Sequence, residues 1–140
     1  MGACFETFST TADVGIHVNG RGFQDFFNCA LKGLNALYYG DQLPDLSNQP
    51  PVRIHFEYRG DSCENILVNL LSEIVFLMQN RDMLTTSIDV KEADETYLNA
   101  ELLTIPSPEG AELEIKSVTY HNLKVEERDG IKSASIIFDI

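Results

Sequence analysis

The sequence predicts an α+β fold in which two amphipathic helices cover a largely antiparallel sheet. Two helical hydrophobic patterns precede most of the strand-like alternation, and the chain lacks the repeated strand–helix alternation of a parallel sheet. A length of 140 residues suits one domain, so we take residues 1–140 as a single unit.

The first strand and the first helix are predicted from adjacent patterns. Val14, Ile16 and Val18 alternate with small or polar residues, as in a half-buried strand. From Gly22 the apolar residues take helical spacing, and Gly40 is a favourable stop. The helical stripe comprises Phe23, Phe26, Phe27, Ala30, Leu31, Leu34, Leu37 and Tyr38.

The second helix follows a proline-rich connector and the clearest strand of the chain. Residues 41–51 hold three prolines and read as irregular, whereas residues 52–59 alternate between apolar and polar side chains. Asp61 and Glu64 resemble a capping box that opens the helix. Its apolar stripe comprises Ile66, Leu67, Leu70, Leu71, Ile74, Val75 and Met78.

The remainder of the chain predicts strands separated by turns. Turns are expected at Pro106 to Gly110 and at Asp129-Gly130. The expected strands lie around Ile88 and over residues 97–102, 113–120, 123–125 and 134–138.

The charge balance argues against a protein that coats nucleic acid. Ten Lys and Arg against 22 Asp and Glu give a net charge of −12, which repels phosphate backbones. Between Asp89 and Glu114, eight acids accompany only one base, Lys91. This run is either a solvated face or a docking surface for a basic partner.

The cysteines and the hydropathy predict a cytoplasmic protein. Three cysteines without C-x-x-C spacing suggest reduced, buried thiols. The first residues have no basic and apolar leader pattern, and no apolar run is long enough to span a bilayer. We therefore expect no membrane association.

Carboxylates are the best candidates for chemistry, because common phosphate-binding and nucleophile motifs are absent. Asp13 precedes the first predicted strand, and Asp139 ends the last one. The chain terminus adds the α-carboxylate of Ile140 beside Asp139. If Asp13 comes near, these oxygens predict a Mg²⁺ or Ca²⁺ site that could bridge nucleotide phosphates.

The other reactive side chains give weaker signals. Lys116 is expected inside an apolar strand, where it either pairs with an acid on a neighbouring strand or contacts a phosphate. His17 and His55 lie on the polar sides of strands, and His121 follows a strand end, so simple hydrogen-bonded roles are expected for all three. Cys63 has acidic neighbours that oppose thiolate formation, which argues against a nucleophile.

Four ordered motifs resemble the archease family over essentially the whole chain. They are Thr10-Thr11-Ala12-Asp13-Val14, the segment from Asp61 to Glu73, the segment Ile115-Lys116-Ser117-Val118-Thr119-Tyr120-His121, and the terminal Asp139-Ile140. The family has histidine where this chain has Thr10, so the imidazole role that the motif implies is not expected in this chain.

The resemblance implies an accessory protein rather than an enzyme. Archeases assist RtcB-type RNA ligases in tRNA splicing and RNA repair, by promoting guanylylation of the ligase with GTP. By this resemblance, Asp13, Asp139 and the Ile140 carboxylate are metal ligands for Ca²⁺ or Mg²⁺, and Lys116 is a functional residue. RNA then contacts the ligase, and no direct nucleic-acid binding by this chain is expected.

Two other functions remain open at this point. A small metal-dependent phosphohydrolase would use the same carboxylates and would hydrolyse nucleotides by itself. A chaperone-like interaction module would use Asp13 and Asp139 only structurally, and its partner binding would not respond to a chelator.

Overall fold

The fold, seen in a computed structural model, consists of two helices and eight strands over the described residues, 4–41, 43, 45–46 and 48–140. The helices are α1, Gly22–Tyr39, and α2, Cys63–Arg81. The strands are β1 Phe5–Ser9, β2 Asp13–Arg21, β3 Val52–Arg59, β4 Met83–Asp94, β5 Tyr97–Pro106, β6 Ser117–Val118, β7 Glu126–Arg128 and β8 Ile131–Asp139. The predicted α+β class is confirmed.

The strands form two antiparallel sheets. The first has the order β1-β2-β8-β6, with β7 also paired to β8, and the second has the order β3-β5-β4. Both helices contact both sheets, and the buried residues of all these elements form one cluster. Neither helix is long and apolar enough to cross a bilayer, judged over the described residues.

Carboxamides on α1 cover the edge of β4. Asn28 accepts a hydrogen bond from the backbone N–H of Ile88 (2.9 Å) and donates to the carbonyl of the same residue (2.8 Å). Gln24 accepts from Val90 N (2.8 Å), and Asn35 donates to Thr85 O (2.9 Å). The helix thereby occupies backbone groups that would otherwise remain open at a strand edge.

The N-cap of helix α2 lies one residue later than predicted. Ser62, not Asp61, is the N-cap, and its side chain accepts from Asn65 N at 3.1 Å. Glu64 does not reach back to close a capping box; its carboxylate accepts from Val125 N at 2.8 Å. The polar residues at the helix start therefore serve both the cap and a tertiary contact.

The C-terminal strands differ from the prediction at two places. The segment 123–125 is not a strand, because pairing with β8 begins only at Glu126. The segment 113–120 is reduced to Ser117–Val118. The predicted turn at Asp129-Gly130 joins β7 to β8, and both residues have positive φ, 54° and 79°.

Two of the three cysteines are not free, contrary to the expectation from the sequence. Cys4 and Cys29 form a disulfide with Cα atoms 5.6 Å apart. Their separation of 25 positions carries no motif, and they meet because β1 lies against α1. Cys63 is buried and free.

The connector after α1 agrees with the prediction where it is described. The described residues between Gly40 and Val52 form neither helix nor strand, while Gln42, Pro44 and Ser47 lie outside the described residues. Gly40 follows α1 with φ 59°, and its N–H donates to Ala36 O at 2.7 Å.

Candidate functional site

Asp13 and Asp139 lie directly opposite each other on neighbouring antiparallel strands. Asp13 is the first residue of β2 and Asp139 the last of β8, and the register pairs their Cα atoms. Side chains of such a pair project from the same face, with Cβ atoms about 4.5–5.5 Å apart. We call Asp13, Asp139 and the terminal carboxylate of Ile140 the carboxylate corner.

The turn before β2 leaves the Asp13 carboxylate available. Thr10 N donates to Asp13 O (2.9 Å), and Asp13 N donates to Thr10 Oγ1 (3.1 Å). The turn is thus closed through backbone groups and the Thr10 hydroxyl. Within the described residues, the Asp13 carboxylate itself accepts no hydrogen bond.

Strand β6 adds a hydroxyl on the other side of Asp139. Ser117 pairs with Asp139 in the register, and its Oγ donates to Asp139 Oδ2 at a long 3.4 Å. The backbone carbonyl of Asp139 accepts from Lys116 N at 2.8 Å. Asp139 and Ile140 are both exposed, so the corner faces solvent.

Lys116 stands immediately before β6 and not within a strand. It is exposed, whereas Val118 within β6 is buried, and the prediction that Lys116 lies inside a strand is wrong. The backbone at Ile115 bonds to a helix side chain instead of a neighbouring strand, so β6 begins only at Ser117. Within the described residues, Lys116 makes no ion pair, so nothing supports the cross-strand pairing alternative.

The donor set of the carboxylate corner suits a hard cation. Carboxylate oxygens are the ligands that Ca²⁺ and Mg²⁺ prefer. Across the described part of the chain, no three His, Cys, Asp or Glu side chains cluster in a metal-binding arrangement. A site here would therefore need oxygen ligands besides the two aspartates, such as the α-carboxylate of Ile140, backbone carbonyls or water.

The histidines have the simple partners that the sequence predicts. His17 Nδ1 lies 2.5 Å from Ser135 Oγ, and its ring stacks on Phe8 with centroids 4.5 Å apart. His55 Nε2 lies 3.0 Å from Asn99 Oδ1. None of these contacts joins the carboxylate corner.

Cys63 is unsuited to nucleophilic chemistry. The residue is 4% exposed, and burial, with a smaller contribution from the nearby Glu95 charge, raises the pKa of its thiol to about 12. The thiol therefore stays protonated at neutral pH.

Acidic residues between Asp89 and Glu114 partly pair with bases on the outer surface of the second sheet. Lys91 Nζ lies 2.7 Å from Asp89 and 3.7 Å from Glu101, and Arg53 lies 3.7 and 3.8 Å from the same two carboxylates. These exposed contacts favour the solvated-face interpretation for this part of the run.

One contributor near the site was not predicted from the sequence. Gln79 on α2 bonds to both backbone groups of Ile115, the residue before Lys116. Its only sequence signal is a polar residue four positions after Val75, where the apolar stripe would continue.

The family model of the Archease protein family matches residues 5–140. The chain belongs to the archease family. Two relatives named protein archease support this: one from Thermoplasma acidophilum, 33% identical over 97% of this chain and 93% of its own length, and one from Thermoplasma volcanium, 32% identical over 97% and 98%.

Solved structures agree with the archease fold. The solution structure of Methanobacterium thermoautotrophicum protein 1598 matches with a TM-score of 0.74 at 22% identity, over 99% of this chain and 100% of that one. A Thermotoga maritima crystal structure, described as an archease and possible chaperone, matches with a TM-score of 0.57 at 20% identity, over 95% and 94%. At these identities the matches concern the fold alone.

Proposed function

We propose that this archease-family protein activates an RtcB-type RNA ligase in tRNA splicing and RNA repair, by promoting guanylylation of the ligase with GTP. The observation that carries the proposal is the register that sets Asp13 opposite Asp139 beside the chain terminus. Family membership supports a role as a protein cofactor, and the ligase as partner is our inference from the motifs.

In this proposal, the carboxylate corner holds a Ca²⁺ or Mg²⁺ ion. Asp13, Asp139 and the Ile140 carboxylate would be its ligands, and a bound cation supplies positive charge for phosphate oxygens. Because Asp13 lies at a strand start and Asp139 at a strand end, the two sheet-bound backbones fix the spacing of the ligands.

Lys116 supplies a second positive charge in the same proposal. Its ammonium has no ion-pair partner among the described residues, although the chain carries 22 acids. A free ammonium next to the carboxylate corner suits a phosphate of GTP or an acidic group on the ligase. The backbone bond from Lys116 N to Asp139 O places the Lys116 backbone beside the corner, and the ammonium is carried on a long side chain that starts there.

The net charge of −12 favours a protein partner over RNA. We accordingly propose that RNA is bound by the ligase alone and that GTP meets this chain only in the ligase complex. The proposal implies a cytoplasmic location. Disulfides are uncommon in reducing compartments. The oxidation state of Cys4 and Cys29 in the cell therefore tests the proposed location.

The test is a guanylylation assay with an RtcB-type ligase from the same organism. We expect the rate of GTP-dependent ligase labelling to rise when the purified protein is added in catalytic amount. An unchanged rate would overturn the proposal. Nucleotide hydrolysis by the isolated protein would instead favour the phosphohydrolase.

A chaperone-like role is the second candidate, favoured by the description of the Thermotoga maritima relative. It predicts that the protein suppresses ligase aggregation without changing the guanylylation rate of folded ligase. Binding of the ligase would then survive the replacement of Asp13 or Asp139 and would not need a divalent cation.

A further inference from the structure

The segment between β5 and β6 reaches the carboxylate corner without regular secondary structure. Residues 107–116 form neither helix nor strand. Groups at the end of α1 hold the segment: the Tyr39 hydroxyl donates to Pro108 O (2.7 Å), and Glu112 N donates to Tyr38 O (2.7 Å). The position of Lys116, at the end of this segment, therefore depends on contacts with α1.

Gln79 on α2 holds the end of this segment through both backbone groups of one residue. Its Oε1 accepts from Ile115 N at 2.8 Å, and its Nε2 donates to Ile115 O at 2.9 Å. The carboxamide thus takes the place of a neighbouring strand. Ile115 is only 1% exposed, so without Gln79 these polar groups would be left unpaired in the core.

The orientation of the Gln79 carboxamide is itself fixed. The Tyr38 hydroxyl donates to Gln79 Oε1 at 2.6 Å, so the oxygen receives two donors and the nitrogen faces a carbonyl. Burial raises the pKa of Tyr38, and the neighbouring Tyr39 and Glu114 add to the rise, so the hydroxyl keeps the proton that it donates. A flipped carboxamide would lose both hydrogen bonds to the Ile115 backbone.

Lys116, the next residue along the chain, connects the Gln79–Ile115 hydrogen bonds to the carboxylate corner. Lys116 N donates to Asp139 O at 2.8 Å, directly after the two bonds at Ile115. The backbone on the two sides of the Ile115–Lys116 peptide is therefore held by α2 and by β8 respectively. With both anchors in place, the Lys116 side chain starts from a fixed point beside Asp139.

We propose that Gln79, oriented by Tyr38, is a positioning residue that sets the location of Lys116 relative to the carboxylate corner. The functional part of this inference rests on the proposed role in ligase activation. Gln79 touches neither the corner nor any substrate; it acts through the backbone of Ile115. If Gln79 only satisfied buried backbone groups, its replacement would lower stability and leave activation by the folded protein intact.

The test replaces Gln79→Glu and uses Asn80→Asp as the matched control. A glutamate keeps the size and the acceptor of Gln79, but its carboxylate cannot donate to Ile115 O and repels it. Asn80 is exposed, and its side chain makes no hydrogen bond within the described residues, so the control introduces the same charge one position away. Tyr38→Phe serves as a second variant that leaves Gln79 in place.

Two measurements are made well below the melting temperature of each variant. In ligase guanylylation, we expect Gln79→Glu to lower the maximal stimulated rate about tenfold, as for one lost buried hydrogen bond, with an unchanged half-saturating concentration. We expect Tyr38→Phe to act in the same direction and Asn80→Asp to match the wild type. Full maximal stimulation by Gln79→Glu would overturn the inference.

The second measurement needs no ligase. Amide hydrogen exchange should become faster at Ile115 and Lys116 in Gln79→Glu, while exchange in β2 and β8 stays unchanged. Unchanged exchange at Lys116 would overturn the positioning role. If the wild-type protein fails to stimulate the ligase, the proposed function falls, and amide exchange alone then decides whether Gln79 positions Lys116.

Discussion

At the scale of single residues, the two predicted acids meet through strand pairing. No local motif joins positions 13 and 139; the alternating apolar residues of β2 and β8 fix which face is buried, and the register then sets the two acids opposite each other. The backbone bond from Lys116 to Asp139 brings the lysine to the same place. The pairing of β2 with β8 therefore sets where the two acids lie.

We expect Lys116→Met to abolish ligase stimulation while the free energy of unfolding changes by less than about 0.5 kcal/mol. Methionine keeps most of the aliphatic stem and removes only the charge. Thermal melts and guanylylation assays on one preparation measure both effects, with Lys124→Met, another exposed lysine, as control. Full stimulation by Lys116→Met would remove Lys116 from the site.

Thr10→His restores the residue that the family motif carries, and we expect the fold to survive it. Thr10 is exposed, and its hydroxyl accepts from Asp13 N at 3.1 Å and donates to Asp13 O at a long 3.5 Å; an imidazole nitrogen can take over the first of these two hydrogen bonds. The cost should be at most about 1 kcal/mol. A thermal melt checks this, and a much larger loss of stability would show that the turn needs the hydroxyl.

The thiols can be counted with a colorimetric thiol reagent at pH 8. The native protein should show almost no reactive thiol, because Cys63 is buried with its pKa raised to about 12 and the other two cysteines are bonded. Unfolding without reductant should expose one thiol, and unfolding with prior reduction three. Three thiols without reductant would contradict the disulfide.

At the scale of elements, helices α1 and α2 act as hydrogen-bonding partners as well as hydrophobic covers. Gln24, Asn28 and Asn35 lie on one side of α1 and bond to the backbone of β4, the edge strand. Gln79 does the same on α2 for Ile115. A search for apolar spacing finds the helices but not these carboxamides, because they lie beside the apolar stripe.

Asn28→Ala should destabilise the protein by about 1–3 kcal/mol, because it leaves Ile88 N without an acceptor in a buried place. Chemical denaturation measures the loss. Asn80→Ala, an exposed asparagine on α2, is the control and should stay within about 0.5 kcal/mol of the wild type. Equal denaturation midpoints for both variants would show that water replaces the hydrogen bond of Asn28 at the β4 edge.

The sequence predicts those elements in which the apolar residues repeat with helical or strand spacing. Both helices, β2, β3 and β8 are found close to their predicted places. The sequence does not predict strand β1, because its pattern is short. Phe8 pairs with Gly15, and its ring fills the space that a side chain at Gly15 would occupy, a contact that is visible only in the fold. The shortening of β6 also depends on a distant partner, Gln79, which local patterns do not contain.

At the scale of the whole molecule, both helices contact both sheets, and one buried lysine on the first sheet contacts an acid of the second. Lys132 on β8 is 3% exposed, and its ammonium lies 3.0 Å from Glu95, between β4 and β5, and 2.8 Å from Glu127 on β7. It also lies 4.4 Å from the centre of the Phe23 ring on α1. The division of the strands into two sheets could not be predicted, because pairing between distant strands leaves no local signal.

We expect the terminal carboxylate of Ile140 to contribute to ligase stimulation, as Asp13 and Asp139 do. A tag that extends the chain beyond Ile140 converts the α-carboxylate into a peptide group, and we expect ligase stimulation to drop as a result. The same tag at the other end of the chain is the control. Equal stimulation by both tagged proteins would show that the terminal carboxylate is not a ligand.

The most direct test of the carboxylate corner's role compares Asp139→Asn with the wild type in GTP-dependent guanylylation of an RtcB-type ligase. Asparagine keeps the shape of Asp139 and removes the charge, and Asp129→Asn makes the same change in the β7–β8 turn, where φ is 54° and asparagine is well tolerated. We expect acceleration by the wild type and by Asp129→Asn, and none by Asp139→Asn. Full acceleration by Asp139→Asn would contradict it.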